Sequence, residues 1–248
     1  MTLTDAAAPP DLDRTAAGRE RARARMLATI PRWYNPWAHL AGTTGIGITV
    51  LGAALLHLRH VRAIDLLMVP LVLILANAFE WRAHKSVLHR RFPPFQVIYD
   101  RHTPDHHAVY MTHDMAIRSV REFRLVLIPA MGVLGIVITT TPIALLTAHF
   151  LGLNCGWLFL LTASLYMVLY ELSHLSYHLP TGSFLGRRRL VALLREHHAR
   201  HHDPRLMQKW NFNVTIPLFD WLHGTLAPAS VPRKNGNLPA ETRTKRLS

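Results

Sequence analysis

From Leu125 to Tyr170 the chain runs 46 residues without an Asp, Glu, Lys or Arg. A bilayer core about 30 Å thick takes about 20 apolar residues of helix, so this run is long enough for two spans. The turn joining them is expected near Leu153 to Gly156. Trp33 to Leu58 is likewise uncharged over 26 residues, which suits one span. A fourth stretch, Leu66 to Phe79, has only 14 residues between Asp65 and Glu80, a length that equally suits a buried or re-entrant segment. Uncharged runs of this length are rare in soluble helical cores. The expected fold is therefore an all-α integral membrane protein with four transmembrane helices.

Charge gives an orientation. Lys and Arg number 28 against 15 Asp and Glu, a formal net charge of +13. Of the 28, 6 precede the first span, 8 lie between the second and third, 12 follow the fourth, and only 2 sit in the Arg59 to Arg62 loop. Positive charge marks the cytoplasmic side, so both termini and both long polar regions are expected there. Contact with anionic membrane lipids accounts for such juxtamembrane charge; no nucleic-acid recognition module accompanies it. Three regions follow: a flexible basic arm or surface helix over 1–32, a membrane domain over 33–226 and a disordered tail over 227–248. The N-terminus lacks an apolar core with a small-residue cleavage site, so the first span is expected to act as the insertion signal. The single Cys155, in the expected outer turn, excludes an internal disulfide, a cysteine zinc knuckle and an iron-sulfur cluster.

Eleven of the 17 histidines fall into four tight clusters: His84 and His89; His102, His106 and His107; His174 and His178; His197, His198, His201 and His202. Imidazole is a ready ligand for transition metals, and four spans bring every cluster to the same membrane face. So many ligands exceed what one ion takes, since a tetrahedral zinc is saturated by four donors. Two ions of five or six coordination would use the set, which points to a dinuclear site in a cytoplasmic, His-rich helical cap.

Spacing refines this. Positions i and i+4 share a helix face, so His174 and His178 can aim together, and the same geometry is expected of His198, His201 and His202. Adjacent His106 and His107 diverge by about 100° and can serve different ions. His84 and His89 diverge by about 140° on an ideal helix, which would straddle two ions or mark a fraying end. Thr103-Pro104-Asp105 reads as an N-cap, first-turn proline and acid, starting a helix after His102. Glu80, Asp105, Glu171 and Asp220 lie close enough in sequence to orient metal-bound imidazoles, and each equally suits a span end, a helix start or a cap. His39, His57, His60 and His149 suit surface or lipid-interface positions, and His113 and His223 solvated ones.

The ordered boxes HKSVLH, HTPDHH, HLSYH and HARHH around paired spans resemble the fatty acid hydroxylase and sterol desaturase superfamily of membrane di-iron oxygenases. Arg124-Leu125-Val126 before the third span and NVTIPLFDWLHGTL over Asn213 to Leu226 add to the likeness, which covers about residues 75–226 and is strongest toward the fatty acid 2-hydroxylase branch. The second box more commonly reads H-x2-HH, and His223 stands where an aromatic is more usual. The resemblance implies metal ligands at His84, His89, His102, His106, His107, His174, His178, His198, His201 and His202. It also implies two iron ions, O₂ as co-substrate and a lipid substrate, most naturally a fatty acyl chain. No fused cytochrome domain precedes the spans, so an external donor such as a ferredoxin or cytochrome is expected to supply electrons. Zinc can occupy the same imidazoles in an overexpressed sample. Two other readings stay open: a carotenoid or sterol hydroxylase or desaturase with the same boxes, and a membrane metal transporter or sensor. A transporter would favour ionisable residues along the spans, whereas 125–170 offers only His149.

Overall fold

The structure is a computed structural model that describes residues 15–228. Among these residues the fold is all helical, with no strand beyond an isolated Met111–Asp114 bridge, and four helices are long and apolar enough to cross a membrane. The first is α2 (Pro36–His57), started by Asn35, whose side chain accepts from the Trp37 and Ala38 amides, with Pro36 in the first turn. The third and fourth are α7 (Ala130–Leu151) and α8 (Leu153–Tyr177).

The second span is longer than its 14 uncharged residues suggest. A 3₁₀ turn over Asp65–Leu67 leads into α3 (Met68–Ala83), and a π-helical turn over His84–Leu88 continues it, giving 24 residues in one helical run. Helix persists through Glu80 because that carboxylate is buried and fully engaged. It accepts from the Val214 and Thr215 amides, from the Thr215 hydroxyl at 2.6 Å and from Tyr166.

The reversal between the third and fourth spans is tighter than the 153–156 turn expected. Gly152 alone breaks the helix, with φ at +103°, a conformation that an L side chain rarely adopts. Cys155 is therefore buried in the first turn of α8 rather than in a loop, near Asp65. Asn154 caps the arrangement by bonding the amide and carbonyl of Arg59.

Helix α8 is the central post. It packs against α2, α3 and α7, and 39% of its apolar window is buried against 17% for the first and third spans. Close approach is allowed by small residues: a Cβ at Gly156 would lie 2.7 Å from the Ala144 carbonyl, and one at Gly47 2.5 Å from the Met167 methyl. The outer faces carry exposed Leu55, Leu56, Ile74, Phe79, Ile138 and Leu145, as lipid contact requires.

Beyond the spans lie short elements. Helices α4 (Gln96–Asp100) and α5 (His107–Val109) flank a second π turn, Arg101–His106. Helix α6 (Phe123–Val126) precedes α7, and α9 (Arg189–His201) and α10 (Leu218–Leu222) follow α8. Where an arm or surface helix was expected, residues 16–29 form a docked helix, α1 (Ala16–Thr29), capped by the Thr15 hydroxyl, which accepts from the Gly18 amide. The expected disordered tail falls, from residue 229 on, outside the described residues.

Candidate metal centre

The ten histidines selected by their boxes divide into two groups of five, all buried, each with its ligand atoms within 4.8 Å of one another. The first group is His84, His89, His102, His107 and His201; the second is His106, His174, His178, His198 and His202. They adjoin: the His107 and His202 rings stack at 4.2 Å, and His102 stacks on His106 at 5.4 Å.

Helix type explains the division. In a π turn the i→i+5 ladder stacks residues five apart, so His84 and His89 share a face, their rings stacked at 5.2 Å. They do not straddle the two groups, as an ideal α-helix would have them do. His102 and His107 are also five apart, and the His107 amide bonds the His102 carbonyl. Pro104 lies inside that π turn, so Thr103 is not an N-cap and His102 does not precede the helix. The Thr103 hydroxyl instead donates to the Leu88 carbonyl at 2.7 Å, joining the two π turns, and lies 3.2 Å from His89 Nδ1 as an acceptor for it.

The second group is built on α-helical pairs, His174 with His178 and His198 with His202, each four apart. His201 does not join its neighbours on α9. The 100° step between adjacent residues turns it to the first group, just as it turns His106 to the second and His107 to the first. Each group thus takes two pairs and one single histidine borrowed from the other's segment.

Ring nitrogens facing away from the clusters are held mainly by backbone carbonyls. In the first group His84 Nδ1 bonds Phe212 O and His201 Nδ1 bonds Trp210 O at 3.0 Å. In the second, Nδ1 of His106, His178 and His202 bonds the carbonyls of Leu125, Met115 and Tyr110 at 2.9, 2.8 and 2.6 Å. These bonds fix the tautomer and leave Nε2 as the free lone pair.

The four acids selected from the sequence act one step further out or elsewhere. Asp220 accepts from the Phe212 and Asn213 amides at 2.9 and 2.8 Å, and Glu80 grips Val214 and Thr215, so together they fix the loop whose carbonyls hold His84 and His201. Glu171 accepts from the Ile128 amide at 3.0 Å, just after the Leu125 carbonyl that holds His106. Asp105 is half-buried on the second π turn. His197 turns away from both groups, 3.3 Å from Asp220, and His113 and His223 are exposed. The carbonyl anchors, Thr103 and Tyr110 were not evident from sequence, since every residue carries a carbonyl and only the fold says which faces an imidazole.

The donor set fits transition-metal ions. Nε2 of His106, His174 and His178 are buried without a hydrogen-bond partner, an unfavourable state for polar atoms unless a ligand takes their lone pairs. Nε2 to Nε2 separations are 3.0 Å for His84 and His102, 2.9 Å for His89 and His201, 3.1 Å for His102 and His107, and 3.0 Å for His198 and His202. Two imidazoles bound to one ion at about 2.0–2.1 Å would stand about 3 Å apart, so each of these pairs is spaced to share an ion. Burial pushes His106 down to about 4 and holds His89, His102, His107, His178, His198, His201 and His202 well below the ordinary imidazole range, with neighbouring imidazoles adding to the effect for most of them. All eight are neutral at pH 7, the form that binds metal.

No protein-family model, curated protein or solved structure matches the chain.

Proposed function

We propose that the chain is a multi-pass membrane oxygenase whose two histidine groups each hold one iron ion and which hydroxylates a lipid C–H bond, on a fatty acyl chain by preference. The observation that carries this reading is ten buried imidazoles in two adjoining groups of five at one end of four span-length helices. Its second support is the four-box resemblance to the fatty acid hydroxylase and sterol desaturase superfamily. The charge asymmetry of the loops supports a cytoplasmic setting for that end, where a soluble electron donor would reach it.

Iron ions held by these histidines would supply what side chains cannot, the reduction of O₂ by four electrons, two from the external donor and two from the C–H bond that is hydroxylated. The protein's own part is positional. The histidines would hold the ions, the carbonyls of Tyr110, Met115, Leu125, Trp210 and Phe212 orient the rings, and the buried setting limits the access of water. This reading requires iron rather than zinc, because zinc has no redox chemistry with which to reduce O₂.

The test is lipid mass spectrometry from cells grown under ¹⁸O₂. The intact protein should yield a lipid carrying one heavy oxygen, and His106→Ala and His198→Ala variants that still insert should not. Product oxygen derived from water, or product persisting in the variants, overturns the oxygenase reading. Label on sterols or carotenoids alone changes the substrate and keeps the chemistry.

A further inference from the structure

Helix α1 contributes no histidine and lies outside the stretch that resembles the superfamily, yet it reaches the second histidine group through a continuous set of buried contacts. Ala22 belongs to one buried apolar cluster with Ala108, Val109 and Tyr110, and Met26 packs against that cluster. Between them Arg23, 4% exposed, points inward from an otherwise hydrophilic helix. Its guanidinium pairs with Glu122, itself 1% exposed, and approaches Asp114 at 3.5 Å. The same Glu122 oxygen accepts the Tyr110 hydroxyl at 2.9 Å, and its other oxygen accepts the Arg118 amide at 3.1 Å. Arg118 bridges Glu20 of α1 and Asp114, at 2.7 and 2.9 Å.

Tyr110 is the point where this network meets the histidines. It is fully buried; its ring lies 4.6 Å from His178 and 5.2 Å from His106, and its carbonyl accepts His202 Nδ1 at 2.6 Å. All three belong to the second group. A buried ion pair is a weak source of net stability, because desolvating both charges offsets their attraction, but it can fix registry: the remaining sites of Glu122 are filled, while Arg23 Nε is buried without a hydrogen-bond partner.

We propose that α1 is a latch for the second histidine group. Arg23 acts through Glu122 and Tyr110 as a positioning residue for His106, His178 and His202, so metal binding by that group depends on α1 docking, whereas binding by the first group does not. The inference rests on the two-ion reading above.

Cobalt(II) titration of the metal-free, full-length protein in detergent tests it, with bound metal counted by elemental analysis and affinity read from d–d absorption against a competing chelator. The wild type should bind two ions tightly. Arg23→Met and Glu122→Gln should keep one ion at wild-type affinity and bind the other about 10- to 100-fold more weakly, the range seen when an outer partner of a metal-bound histidine is lost. Arg23→Lys should recover part of the loss. Tyr110→Phe keeps the ring and carbonyl, cuts only the bond to Glu122, and should weaken the same ion; it decides the matter if the charge variants do not fold. Adding His84→Ala to Arg23→Met should remove the remaining tight ion, while adding His174→Ala should not. Two ions at wild-type affinity in all the latch variants, or equal weakening of both, overturns the latch. A wild type that binds fewer than two ions overturns the two-ion reading itself, and the latch with it.

Discussion

The two histidine groups hold the same number of imidazoles by different means. The first is assembled from two π-turn pairs, His84 with His89 and His102 with His107, and leans on the loop before α10. The second is assembled from two α-helical pairs, His174 with His178 and His198 with His202, and leans on the carbonyls of Tyr110, Met115 and Leu125. One histidine crosses in each direction, His201 to the first and His106 to the second. Two groups anchored on separate loops can be loosened one at a time, while the crossed histidines and the His107–His202 stack join them mechanically.

Removing a ligand has the largest expected effect. His84→Ala should cost the first group its ion and His174→Ala the second, so elemental analysis should fall from about two metal ions per chain to about one in each. The double variant should hold none tightly. The crossed residues sharpen the contrast: His201→Ala, though on α9, should behave as His84→Ala, and His106→Ala as His174→Ala. If His201→Ala instead empties the second group, the division drawn here is wrong.

Acid asks whether the metal-free groups fail together. Buried His106 is pushed down to about 4, against about 6.5 for an unfolded imidazole. The unfolded chain therefore takes up protons first as pH falls. The contribution of neutral burial is intact above about pH 6.5 and is lost progressively toward pH 4, about 3 kcal/mol for His106 alone. The other seven depressed histidines outside the spans act in the same direction. Because the groups touch, circular dichroism of the metal-free protein should show one transition in this window, and loading with metal should move it to lower pH. Two separate transitions would mean that the groups titrate independently.

The same contrast explains what the sequence made legible. The uncharged runs marked α2, α7 and α8, and the i,i+4 rule paired His174 with His178, because both signals are local and α-helical. Helix α3 was half visible: Glu80 reads as a span end until the fold buries it among Val214, Thr215 and Tyr166. The π turns were invisible, since their five-residue spacing looks like misalignment on an α-helix, and Pro104 reads as a helix start rather than as a residue the π turn accommodates. His102 and His107, five apart in HTPDHH, are brought into one group across that turn. Arg23 was hidden by its company, being one of four arginines in α1 and the one of them that is buried against the cap while paired with Glu122.

Thr103 offers the smallest and most selective test. Its hydroxyl donates to Leu88 and stands where it accepts from His89 Nδ1, so it sets both the spacing of the two π turns and the tautomer of one first-group ring. Thr103→Val keeps the volume and branching and removes only those two bonds. The expected result is a loss of about 10-fold in affinity for the first group's ion, the lower end of what an outer partner contributes. The second group's ion should be unaffected, since His106, His178 and His202 hang from other carbonyls. Competition against a chelator, run in the His174→Ala background so that only the first group is read, would show the shift directly. An unchanged affinity there would mean that the π turns hold their register without the threonine, leaving the i→i+5 ladder and the Phe212 and Trp210 carbonyls as sufficient anchors for the first group.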